Sequence, residues 1–138
     1  MKELIDLHSK IDSSYKEFID YSRKDLEDYI EETINSKNKI ILVADENKNL
    51  IGYLMGEIIE APYYSKEKKI GVITDTAVGK KYRQHGILTA MFKESERWFS
   101  RKKVNFIELS VDARNSDAIF AWKKLGFKDY KLRLRKLL

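Results

Sequence analysis

Between Ile70 and Leu88 the chain reads IGVITDTAV and then GKKYRQHGIL, an apolar run that passes into a basic, glycine-containing loop and a helix start. A strand ending in such a turn gathers several backbone N–H groups at one point. The first N–H groups of a helix have no intrahelical partner, and the helix dipole adds partial positive charge there. The chemistry this suits is anion binding, with a phosphate or pyrophosphate the natural ligand. Lys80, Lys81 and Arg83 add full charges, and His85 beside Gly86 could touch a phosphate or simply face solvent. Asp75, inside the apolar run, is a carboxylate that could take a proton from a nucleophile through water. Its ordinary role would be a bond to backbone or a pair with a lysine. Glu57, Glu60 and Glu108 are alternative bases, and the odd spacing of Glu57 and Glu60 lets only one of them face a given cleft.

Composition narrows what can surround this stretch. A chain of 138 residues is read as one domain spanning 1–138, able to bury roughly 68% of its unfolded surface in one core. The absence of cysteine excludes disulfides, thiolate metal sites and a cysteine nucleophile. Two histidines, His8 and His85, are too few for a histidine cage, so no metal is expected. No apolar run approaches the roughly 20 residues that span a membrane. The start, MKELIDLHSKID, is charged throughout, without the apolar core of a signal peptide. A cytoplasmic protein without membrane contact is the expectation. The net charge of +5 is unevenly spread: residues 1–78 sum to −5 and residues 79–138 to +10. A lysine-rich solvated surface would explain this, and so would a site holding an anion on one side and a cation on the other. The basic half lacks the aromatic interleaving of a single-strand platform, which argues against a nucleic-acid partner.

The elements that must position these residues follow from periodicity. Leu4, Leu7, His8 and Ile11 lie on one helical face of residues 3–12. A second helix is expected over 22–36, with Ser22 as N-cap, an apolar stripe of Leu26, Tyr29, Ile30 and Ile34, and an acidic remainder. Residues 39–45 and 50–60 read as a hairpin, 69–78 as a third strand, 86–101 as a helix, and 104–111 as a strand. A short helix over 116–125 is closed by Gly126, and the alternation of 127–134 suggests a last strand. Tyr63 and Tyr64 after Pro62 could form a lid or pack a loop. Trp98, Phe99 and Phe120 are assigned to the core.

The stretch RQHGIL at 83–88, following GVITDTAV, resembles the acetyl-CoA signature of the GNAT N-acetyltransferase superfamily, R/Q-x-x-G-x-G/A. Downstream, Asn115, Ala118, Trp122, Gly126 and Phe127 stand at the spacing of that superfamily's second motif, N-x-x-A-x-x-x-Y-x-x-x-G-F. The likeness is close over residues 70–127 and looser over 38–69. It implies an α/β fold of the α+β kind: a mixed, mostly antiparallel sheet with a splayed central parallel strand pair and helices on both faces. The usual first strand has no counterpart ahead of residues 3–12, and an unpartnered sheet edge would suit a homodimer.

The resemblance implies transfer of an acetyl group from acetyl-CoA, with no metal, to a primary amine by direct attack in a ternary complex. The pantetheine arm would bond backbone near Ala77 and Val78, with the Val78 N–H as oxyanion donor. The pyrophosphate would sit on the N–H groups of Gln84, His85, Gly86, Ile87 and Leu88, near Arg83, and Asn115 would help shape the pantetheine channel. Three departures stand out: Leu88 replaces a small residue, the glutamate that precedes Asp75 in some relatives is Thr74, and Trp122 replaces the tyrosine that often protonates the departing thiolate. An indole N–H donates hydrogen bonds but is no acid at neutral pH. Tyr82, Tyr130 or water could substitute. The alternative is a catalytically weak acyl-CoA-binding or regulatory domain. The acidic second helix points to a cationic acceptor, a polyamine-like small amine or a lysine or N-terminal amine of a peptide.

Overall fold

The structure, a computed structural model, describes residues 23–138. The expected helix over 3–12, the Ser22 cap and the question of a first strand lie outside the described residues. The elements run α1 (Arg23–Asn35), β1 (Lys39–Glu46), β2 (Asn49–Glu60), β3 (Lys69–Val78), a 3-10 turn (Lys80–Tyr82), α2 (Ile87–Arg101), β4 (Ile107–Leu109) and α3 (Ser116–Lys124). Among the described residues four strands make one sheet in the order β1-β2-β3-β4, antiparallel except for the parallel pair β3–β4.

Local chemistry accounts for each element. Asn47 and Lys48 both take positive φ, 50° and 66°, the left-handed pair that a tight hairpin between β1 and β2 requires. Along β2 the even residues Leu54 and Ile58 turn to α2, while Tyr53 and Met55 form a second buried group with Ala77 and Ile41 on the other face. Apolar residues therefore occur at both parities, and β2 is covered on both sides.

The main core lies between the sheet and α2. Met91, Phe92 and Phe99 sit on one helical stripe of α2 and pack with Leu54, Ile73, Val104 and Trp122. Phe99, 1% exposed, presses so closely on β3 that a Cβ on Gly71 would lie 2.6 Å from its ring. Burial of such a ring stabilises the fold by about 1.5–3 kcal/mol. On the opposite face α1 lies beside Lys39, whose Nζ stands 3.4 Å from Glu32 and over the ring of Tyr29. Helices thus flank both faces.

Two expected elements differ. The strand expected over 104–111 is confined to Ile107–Leu109, because only those residues find register partners on β3. The last strand expected over 127–134 is not formed. After Phe127 the chain makes no ladder with the described residues, and Leu132 and Leu134 are more than four-fifths exposed. Alternation signals a strand only where a partner edge and a face to bury accompany it.

Candidate active site

The site begins where two strands part. β3 and β4 pair only at Gly71–Ile107, Val72–Glu108 and Ile73–Leu109, yet β3 continues to Val78. Beyond Ile73, β3 keeps its bonds to β2 and leaves its other edge facing a gap. The Gly79 N–H donates to Ile51 O across β2 at 2.8 Å. Strand backbone alternates, so the Val78 amide points the opposite way, into that gap. A polar backbone edge open beside an apolar wall is the setting a linear amide-bearing ligand can occupy as an extra strand.

The chain then builds the anion loop. Tyr82 N–H bonds Gly79 O at 2.8 Å, closing the 3-10 turn, and Gln84 takes φ 62°. Gly86, at φ 82°, is the N-cap of α2 with no side chain to cap the helix. The first bond back along the helix is Ala90 N–H to Gly86 O at 2.9 Å. No acceptor among the described residues takes the N–H groups of Gln84 through Thr89. These amides, with the helix dipole behind them, fit a pyrophosphate. Arg83 links loop and gap: its Nε donates to Val78 O at 3.0 Å, while the carbonyl of Arg83 lies 2.7 Å from His85 Nδ1. Ile87 and Leu88 turn their side chains into the main core. The larger residue at 88 therefore does not stand in the way of the loop amides.

The candidate carboxylates converge on one face. Asp75 is opposite Met55, Glu57 opposite Val72, and Val72 opposite Glu108, so all three acids share the face away from α2. A bulge produces this. Gly56 pairs Ile73 and Met55 pairs Asp75, leaving Thr74 as the extra residue in β3. Glu60, at the end of β2, has the opposite parity and is exposed. The acidic residues Asp28, Glu31 and Glu32 of α1 are exposed beside the same face. Asp75 is half-buried, and the hydroxyl of Tyr53 donates to its Oδ2 at 3.0 Å.

The second motif supplies a helix cap and part of the core. Asn115 caps α3, its Oδ1 accepting the Ala118 N–H at 3.1 Å, which leaves the amide Nδ2 to donate elsewhere. Ahead of it, Arg114 grips Asp112 with both arms, at 3.0 and 2.7 Å. That guanidinium, with the Arg114 backbone N–H, holds the Asp112 carboxyl far below the usual carboxylate range. Trp122, 6% exposed, is packed edge-on against Phe92 and Phe127 in the core. Tyr63 is 99% exposed on the β2–β3 loop and touches Tyr64 edge to face. Sequence reading passed over Tyr53. The signal was a tyrosine inside the buried strand LIGYLMG, where a phenol must find a polar partner. No group of three or more metal-ligating side chains occurs among the described residues. No helix among them is long and apolar enough to cross a membrane.

The profile of the acetyltransferase (GNAT) family matches residues 3–127, and the chain belongs to that family. No curated protein matches it. Among solved structures, the BH1408 protein of Bacillus halodurans, as a tetramutant, superposes with a TM-score of 0.79 at 21% identity, covering 99% of this chain and 93% of that one. An aminoglycoside acetyltransferase from an uncultured soil metagenomic sample, solved with sisomicin, has a TM-score of 0.74 at 19% identity, covering 99% and 87%. AAC(6')-Iy, in complex with the bisubstrate analogue CoA-S-monomethyl-acetylneamine, has a TM-score of 0.78 at 14% identity, covering 99% and 91%. At these identities the likeness is one of fold.

Proposed function

We propose that residues 1–138 form one acetyltransferase domain that moves an acetyl group from acetyl-CoA to a primary amine of a cationic small molecule or peptide. The observation that carries the reading is the open β3 edge at Val78, continuous with the loop amides of Gln84–Leu88 on one side and beside Asp75 on the other. Acetyl-CoA supplies an activated carbonyl and a thiol leaving group whose ordinary pKa of about 8.5 makes departure as thiolate feasible. The loop amides and Arg83 bind its pyrophosphate, the Ala77–Val78 backbone orients the pantetheine, and the Asn115 amide lines the channel. The Val78 N–H stands as oxyanion donor. Asp75 takes the ammonium proton, directly or through water, and Glu57 and Glu108 on the same face hold the cation. Trp122 forms the wall behind the channel.

The acceptor class follows from charge. Three acids on one sheet face beside the acidic surface of α1 attract an ammonium, and two of the similar folds were solved with aminoglycoside-type ligands. A thiol-release assay against spermidine, sisomicin, a lysine-containing peptide and neutral or anionic amines tests this. Acetyl-CoA-dependent release with the cationic amines supports the reading; release confined to the neutral or anionic amines overturns it. One observation favours a second reading. The buried Trp122 leaves no phenol at its position to protonate the thiolate, as befits a weak catalyst or a regulatory acyl-CoA binder. A pure binder would saturate with acetyl-CoA in calorimetry and release no thiol with any amine.

A further inference from the structure

The geometry points to Tyr53 as a positioning residue for the acetyl transfer, its buried hydroxyl holding the Asp75 carboxylate at the mouth of the β3–β4 gap. The inference rests on the reading of Asp75 as the proton acceptor. Tyr53 is 2% exposed and wedged among Met55, Ala77 and Ile41. It sits opposite Ala77, so its ring runs diagonally across the face to Asp75, two residues away on the neighbouring strand. The hydroxyl donates to Asp75 Oδ2 at 3.0 Å, and the Tyr53 carbonyl accepts from Thr76 Oγ1 at 2.9 Å. Tyr53 thus grips β3 at two successive residues immediately after the bulged Thr74.

That grip has a purpose that packing alone does not give. A bulge breaks the regular alternation that otherwise aims strand side chains, and a short carboxylate there has several staggered rotamers open to it. A proton acceptor must come within about 2.6–3.2 Å of its donor, and a misplacement of about 1 Å can cost roughly 10²-fold in rate. A bond from a rigid, buried phenol favours the rotamer that brings Oδ2 to the Tyr53 hydroxyl.

The test is Y53F, D75N and the double variant in the thiol-release assay, using the cationic amine that is turned over fastest, with calorimetric titration of acetyl-CoA to count folded sites. Removing a hydroxyl leaves the ring in place, so Y53F keeps its acetyl-CoA affinity and KM while kcat falls about 10-fold. In the D75N background the same change has no further effect. Full kcat in Y53F alongside an impaired D75N overturns the positioning role and leaves the base assignment standing. An equal loss from Y53F in both backgrounds overturns it as well, since the effect would then be structural. Wild-type turnover by D75N overturns the base assignment, and the role of Tyr53 falls with it. No turnover of any amine defeats the acetyl-transfer reading itself.

Discussion

Two glycines with the same backbone problem and different surroundings separate folding from donor binding. Gly86 has φ 82° and Gly126 φ 100°, and a Cβ built on either meets nothing within 4 Å. Substitution by alanine at either site therefore introduces no clash, only the strain of an L-residue at positive φ, about 1–2 kcal/mol. For a chain of this length that lowers the thermal midpoint by about 3–8 °C, in G86A and G126A alike. Their effects on the donor should diverge. Gly86 caps α2 amid the amides of Gln84–Thr89, so a methyl there stands where the phosphate must approach and any relaxation of φ turns the amides away. Gly126 only ends α3. Calorimetry at a temperature well below both midpoints should show acetyl-CoA affinity at least 10-fold weaker in G86A and unchanged in G126A. Equal affinities in the two variants would refute the assignment of the loop as the phosphate site, whatever the melts show.

Other perturbations test neighbouring links. G71A drives a Cβ to 2.6 Å from the Phe99 ring, so it should destabilise by about 1–3 kcal/mol in denaturant titrations. Pairing G71A with F99L, which makes room, should lose less than the sum of the two. N115A removes the α3 cap and should cost about 1 kcal/mol, whereas N115D keeps an accepting oxygen and should melt like the parent. If the Asn115 amide donates to pantetheine, both variants bind acetyl-CoA more weakly; unaltered binding by N115D would reduce Asn115 to a cap. Asp112 has its folded pKa depressed by Arg114, so its contribution is present above the usual carboxylate value of about 3.9 and is lost as pH falls below it. The stability gap between the parent and D112N, small because the pair is exposed, should therefore close on acidification below about pH 4 and stay constant from pH 5 to 7.

The strands and helices that carry short-range signals were legible: β3 is bounded at Lys69 and Val78 as its apolar run suggests, and α2 starts at the glycine its loop announces. Long-range pairing was not. KLRLRKLL alternates as a strand does, but no ladder among the described residues takes it up, and β4 shrinks to three residues because β3 turns away after Ile73. Trp122 shows the same limit from the other side. Its side chain closes a core with Phe92 and Phe127, a packing role that its motif position does not announce.

The bulge at Thr74 is the most instructive of these. Gly71 and Ile73 face α2, and unbroken alternation would put Asp75 beside them, pressed toward the apolar core. The extra residue reverses parity, so Thr76 and Val78 fall on the α2 face while Asp75 and Ala77 join Tyr53, Glu57 and Glu108 on the other. Nothing in ITDTAV announces which residue will be skipped, because threonine suits either parity of a strand. The catalytic candidate is thus assigned to its face by one unpaired residue. A deletion of Thr74 would remove the bulge and pair Ile73 and Asp75, as consecutive residues, with Gly56 and Met55, so Asp75 would keep its face while the extra local twist of the bulge is lost. Such a variant should therefore stay folded in denaturant titrations and keep more turnover than D75N, which removes the carboxylate itself; a Thr74 deletion that unfolds would refute this account of the bulge.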